Sequence, residues 1–192
     1  WLNNTNGLTI MSMPNIVLDH INTYKREGSV IVKPPKKIEP RDYQVKAIQA
    51  VKENGWQGIL NMATGTGKTI TSLLIANEYL NVYNRIFLII TVPFIHLVEQ
   101  WKSNCIDAGY ERFISCYGSK KEWSNKLQAA IRDFNGGIIR KQVVIATYNG
   151  AASIEFNNLV STIRGRTFFI ADECHYFGIK SLRDHRFNHF EG

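Results

Sequence analysis

Two short segments hold residues whose types and spacing can do chemistry. Residues 62–69 read Met-Ala-Thr-Gly-Thr-Gly-Lys-Thr, and residues 168–175 read Phe-Phe-Ile-Ala-Asp-Glu-Cys-His. In the first, Gly65 and Gly67 allow a tight turn that points backbone N–H groups inward at phosphate oxygens. Lys68 follows as a point charge for the β and γ phosphates, and Thr69 offers a hydroxyl to Mg²⁺. Thr64 and Thr66 complete the loop. A strict phosphate-loop pattern has Gly at position 62, where this chain has Met62. In the second segment, Asp172 and Glu173 emerge at the end of an apolar run, where α/β sheets place ligands. One carboxylate can hold Mg²⁺ directly or through water, and its neighbour can orient or deprotonate an attacking water. The two segments together make the halves of a nucleotide-hydrolysis site.

The elements that must position these residues follow from hydrophobic pattern. Gly58-Ile59-Leu60 reads as a short buried strand before the loop, and Ile70, Leu73, Leu74, Asn77 and Leu80 recur at helical spacing after it. The loop therefore sits between strand and helix, with the helix N-terminus favouring anions. A helix is expected over about 41–53. Strands are expected over 85–92, 113–117, 142–147 and 167–171, and helices after Pro93, over 120–134 and over 150–163. The run 167–171 is continuous rather than alternating, as in a buried parallel strand. Repeated βα units imply a parallel sheet with helices on both faces. Tyr43 and Trp101 fall on apolar helical stripes and are expected in the core. Lys120, Lys121, Lys126 and Arg132 share one helix and are expected on a solvated face.

Composition bounds the rest. A chain of 192 residues with 44% hydrophobic content can bury a real core in one domain. Residues 1–37 read as a separate lead-in segment ending in the basic linker Lys33-Pro34-Pro35-Lys36-Lys37, and 38–192 as the main domain. The first residue is Trp1, which points to a piece of a longer chain. No apolar run reaches membrane-spanning length, and no signal peptide is visible. Cys105, Cys116 and Cys174 show no disulfide or metal spacing, which suits a reducing cytoplasm. A net charge of +7 is compatible with a polyanionic partner but does not identify one.

The order of motifs carries a resemblance. Arg41-Asp42-Tyr43-Gln44 precedes the phosphate loop. Thr91-Val92-Pro93 with Leu97, Gln100 and Trp101 follows it, then Ala146-Thr147-Tyr148, then Asp172-Glu173-Cys174-His175. Over about 38–178 the chain resembles the first RecA-like motor domain of a superfamily-two helicase or translocase of the DExH (DECH-box) group. It is similar in style to phage recombination helicases, repair-type helicases and the motor subunits of restriction enzymes. The resemblance implies a RecA-like P-loop fold with ATP and Mg²⁺ as cofactors. Gln44 would read the adenine edge and Arg41 would lie against the base. Lys68 would serve the phosphates, Thr69 and Asp172 the metal, and Glu173 the water. His175 would couple the nucleotide site to later motifs. Pro93 and Thr147 would open segments that touch a nucleic-acid backbone, DNA by the style of the motifs. The resemblance also implies a second RecA-like domain that supplies arginine fingers, so the fragment by itself is expected to be poorly active. Other readings of the same residues are an ATP-gated nucleic-acid-binding module without unwinding activity, and a phosphate-loop enzyme of another class.

Overall fold

The computed structural model describes residues 39–63 and 65–174. The expected lead-in segment, Thr64 and His175 lie outside the described residues. In chain order the elements are α1 (Asp42–Glu53), α2 (Lys68–Tyr83), β1 (Ile86–Val92), α3 (Ile95–Asp107), β2 (Phe113–Cys116), α4 (Lys120–Asn135), β3 (Lys141–Thr147), α5 (Tyr148–Ala151), α6 (Ile154–Val160) and β4 (Thr167–Ala171). The four strands form one parallel sheet in the order β2-β3-β1-β4.

β1 is the centre of the sheet. All seven of its residues are buried, and it pairs with β3 on one side and β4 on the other. Side chains alternate across a strand, so one run of apolar residues feeds two cores. Ile86, Leu88, Ile90 and Val92 pack with Leu73, Ile75 and Tyr79 of α2 and Val98, Trp101 and Cys105 of α3. Phe87 and Ile89 pack on the opposite face with Trp123, Leu127, Ile131 and Phe134 of α4 and Phe156 of α6. Each such side chain contributes roughly 1.5–3 kcal/mol when fully buried. The buried residues of α4 recur at helical spacing, while Lys120, Lys121, Lys126 and Arg132 are exposed, so that face is solvated as its sequence implied. Burial also pushes the thiols of Cys105 and Cys116 up to about 12, which keeps them protonated.

Two expected elements differ. Gly58-Ile59-Leu60 is not a strand: it has no ladder partner, and Ile59 is 82% exposed. A three-residue run is held as a strand only by a neighbour's hydrogen bonds, and no described strand pairs with β4 on the side away from β1. An open cleft lies instead between 57–62 and 165–174. The expected helix over 150–163 is two helices. Thr147 caps α5 by accepting from the Gly150 N–H at 3.2 Å, and Ser153 caps α6 by accepting from the Phe156 N–H at 3.3 Å. Each hydroxyl supplies a helix start that periodicity alone does not show.

Gly150 lets α5 turn closely over the end of β2. A Cβ there would lie 2.2 Å from the Cys116 carbonyl oxygen, so backbone must shift to admit it. Gly150→Ala is expected to destabilise the domain by about 1–3 kcal/mol, read as a lower urea midpoint with an unchanged slope. Gly136→Ala, where the nearest atom would be 3.3 Å away, is the milder comparison. Equal stability of Gly150→Ala and the parent would contradict the close approach.

Candidate functional site

All four strands are parallel, so their carboxyl ends share one edge of the sheet. Val92 is in register with Thr147, and Thr91 with Ala171. Pro93, Tyr148 and Asp172 therefore follow three neighbouring strand ends. α2 begins beside them: Lys68, Thr69, Ser72, Asp172 and Glu173 all line one cleft of ≈ 1420 Å³. The structure thus brings together the two segments that the sequence singled out.

The loop takes the shape its glycines allow. Gly65 and Gly67 have φ of 80° and 88°, in the left-handed region. Gly67 is the N-cap of α2, and no side chain caps that end. The first N–H groups of a helix lack intrahelical partners, so this end presents donors and positive potential to an anion. The Thr66 hydroxyl donates to the Ala63 carbonyl at 2.6 Å, and the Thr71 N–H donates to the Gly67 carbonyl at 2.9 Å. Lys68 and Thr69 are half-buried, and Lys68 has no ion-pair partner among the described residues.

The N-terminal turn of α1 braces this loop. The Tyr43 hydroxyl donates to the Thr66 carbonyl at 2.8 Å, and Arg41 Nη1 donates to the Tyr43 oxygen at 3.3 Å. The Gln44 amide donates to Thr71 Oγ1 at 2.9 Å and accepts from the Arg41 N–H at 3.0 Å. Gln44 is the buried residue of α1, at 5% exposure, whereas Tyr43 is 40% exposed. The expectation that Tyr43 belongs to the core is corrected: its hydroxyl needs an acceptor, and the loop carbonyl supplies one at the surface.

Asp172 is held at three points. Its N–H donates to the Thr91 carbonyl at 2.9 Å, beyond the last β1–β4 pair. Its carbonyl accepts from the Tyr148 hydroxyl. Its Oδ2 accepts from Trp101 Nε1 at 2.8 Å. Burial, followed by the nearby Asp172 charge, pushes the Tyr148 hydroxyl well up, so it stays a donor. Glu173 is exposed and turns at φ 52°, a left-handed conformation uncommon outside glycine, so the chain bends sharply between the two carboxylates. Trp101 is in the core as expected, at 2% exposure, but it is also part of the site. In the sequence Tyr148 stands out only within Ala146-Thr147-Tyr148. The usable signal was that a buried indole N–H or phenol O–H finds a polar partner. Thr147 is 8% exposed, with its hydroxyl engaged at the α5 cap, and Pro93 is half-buried.

These donors suit a hard cation. Thr69 supplies a hydroxyl and Asp172 and Glu173 supply carboxylates, and no group of three His, Cys, Asp or Glu gathers around a metal position among the described residues. Such a set fits Mg²⁺, which takes one or two carboxylates and completes its shell with phosphate oxygens and water.

The sequence matches the family "Type III restriction enzyme, res subunit" over residues 37–191. No curated protein matches it. Among solved structures, it is similar to a nuclease-deletion mutant of the Type ISP restriction-modification enzyme LlaGI in complex with a DNA substrate mimic. The TM-score is 0.59 at 24% identity, covering 72% of this chain and 15% of that one. At that identity the likeness shows the fold, and this chain spans a small part of the larger enzyme's length. With the glycine loop before α2 and the paired carboxylates in one cleft of a parallel α/β sheet, and with the family match across most of its length, the chain belongs to the type III restriction enzyme res subunit family and is a helicase-like motor domain.

Proposed function

We propose that this chain is the first RecA-like, ATP-binding and hydrolysing domain of a DECH-box (DExH) helicase or translocase that acts on DNA. One observation carries the reading: the N-terminus of α2, with Lys68 and Thr69, opens into the same cleft as Asp172 and Glu173. The family match supports a motor of the restriction-enzyme kind, and the similar structure named above was solved with a DNA substrate mimic.

In this reading the backbone of the loop 64–69 and the Lys68 ammonium cradle the β and γ phosphates of ATP. Charge on the transferring group is offset by fixed donors that need no rearrangement. Thr69 and Asp172 would hold Mg²⁺, which when bound would neutralise developing phosphate charge. Glu173 orients and deprotonates the attacking water. Gln44 and Arg41 face the adenine. Beyond its two bonds to Arg41 and Thr71, the Gln44 amide keeps one N–H and one lone pair, enough to match the adenine edge. His175 links the site to later motifs. Pro93 and Thr147 open the segments that meet the DNA backbone. A second RecA-like domain supplies arginine to the transferring phosphate in this reading. The proposed setting is the cytoplasm, where three free cysteines stay reduced.

Lys68→Ala should weaken ATP binding by about 10- to 100-fold, the loss expected for a hydrogen bond to a charged group in a sheltered site. Isothermal titration with a non-hydrolysable ATP analogue measures it, and parental affinity would overturn the loop assignment. The two carboxylates should separate by role. Glu173→Gln keeps Mg²⁺-dependent nucleotide binding and loses hydrolysis, whereas Asp172→Asn loses the Mg²⁺ dependence of binding. Equal binding defects in the two variants would contradict that division.

A further inference from the structure

The sheet ties the Asp172 backbone through its N–H to Thr91, but its carboxylate lies beyond the last ladder pair. Asp172 follows the last residue of β4, which pairs with β1 on one side only among the described strands, and it precedes the left-handed turn at Glu173. A carboxylate at such a place would rotate unless something held it. The structure holds it through residues outside the DECH box. Trp101 lies in α3, 2% exposed, and its single N–H has the Asp172 Oδ2 as its partner at 2.8 Å. An indole has one polar hydrogen and no acceptor, so the bond can be made in one orientation only. The Tyr148 hydroxyl fixes the carbonyl of the same residue, and Thr91 fixes its N–H.

We propose that Trp101 is a positioning residue for Asp172: its buried indole N–H commits Oδ2 and so leaves Oδ1 aimed into the nucleotide cleft, while Tyr148 locks the main chain beneath it. Trp101 also lines that cleft together with Lys68 and Thr69. The helix that carries it starts just beyond the end of β1, and Tyr148 starts the helix that follows β3. The orientation of the metal carboxylate is thereby tied to the two segments that open at Pro93 and Thr147. A hydrogen bond that orients a metal-binding carboxylate acts on metal affinity without touching the metal. This inference rests on the proposed role of Asp172.

Trp101→Phe removes the N–H and keeps an aromatic ring in the core. The Mg²⁺ concentration that half-saturates ATP-analogue binding should rise about tenfold, the lower end of the effect of removing a ligand's hydrogen-bond partner. Analogue affinity without metal should stay at the parental level. Trp101→Phe should add nothing to Asp172→Asn in the double variant, because the indole acts through that carboxylate. Parental Mg²⁺ dependence in Trp101→Phe, or a further full loss in the double variant, would overturn the proposal. If Asp172→Asn itself leaves Mg²⁺ dependence intact, the nucleotide-site reading falls and this inference with it. A second readout covers failure of Trp101→Phe to fold. In a ¹⁵N-labelled chain, the assigned Trp101 indole N–H resonance should shift in Asp172→Asn and again when Mg²⁺ and ADP are added to the parent. An indole resonance indifferent to both would also overturn the proposal.

Discussion

The structure depends on the burial of β1 on both faces and along both edges. Its seven residues carry no exposed side chain, and each adjoining strand borrows its direction from β1's ladder. Parallel pairing then has a geometric consequence. Strands that run the same way end at the same edge, and the residues just past Val92, Thr147 and Ala171 meet there whatever their separation in sequence. Helices α2 and α3 must cover one face and α4 and α6 the other, because a sheet apolar on both sides is stable only between two layers.

The site is built on that edge from parts of unequal rigidity. β4 and the sheet set Asp172 firmly through its N–H to Thr91. The glycine loop before α2 lies outside the sheet and needs its own support. α1 supplies it through Tyr43 to Thr66 and through Gln44 to Thr71, so the residues before the loop hold its backbone as well as its helix. A charge-assisted bond such as that from Trp101 to Asp172 contributes about 1.5–3 kcal/mol, comparable to burying one large core side chain. Much of what holds this site is therefore polar and located away from the two motifs that name it.

Sequence patterning was most legible where one physical rule dominates. The apolar runs that became β1 and β3 are long and nearly uninterrupted, and α4 shows a clean helical stripe ending at Gly136-Gly137. The glycine loop before α2 and the Asp172-Glu173 pair stand out in the sequence by residue type and order, and the fold brings both to one cleft. What escaped depended on hydrogen-bond partners, near or distant in sequence, that hydrophobic pattern does not show. Gly58-Ile59-Leu60 has strand composition but no neighbour to pair with among the described residues. The split near Ser153 came from side-chain caps. Hydrophobic pattern places Tyr43 and Trp101 in the core, whereas their polar atoms, a hydroxyl and an indole N–H, decide what they bond to at the cleft.

The central claim is that Thr69 and Asp172, about a hundred residues apart in sequence, share one metal-nucleotide position. Paramagnetic Mn²⁺ tests this most directly. In a ¹⁵N-labelled chain with ADP present, substoichiometric Mn²⁺ should broaden the backbone resonances of Lys68, Thr69 and Asp172 first and leave those of Gln142 and Trp123 sharp. Broadening that spares Asp172 or Thr69, or that centres on another part of the sheet, would contradict the account.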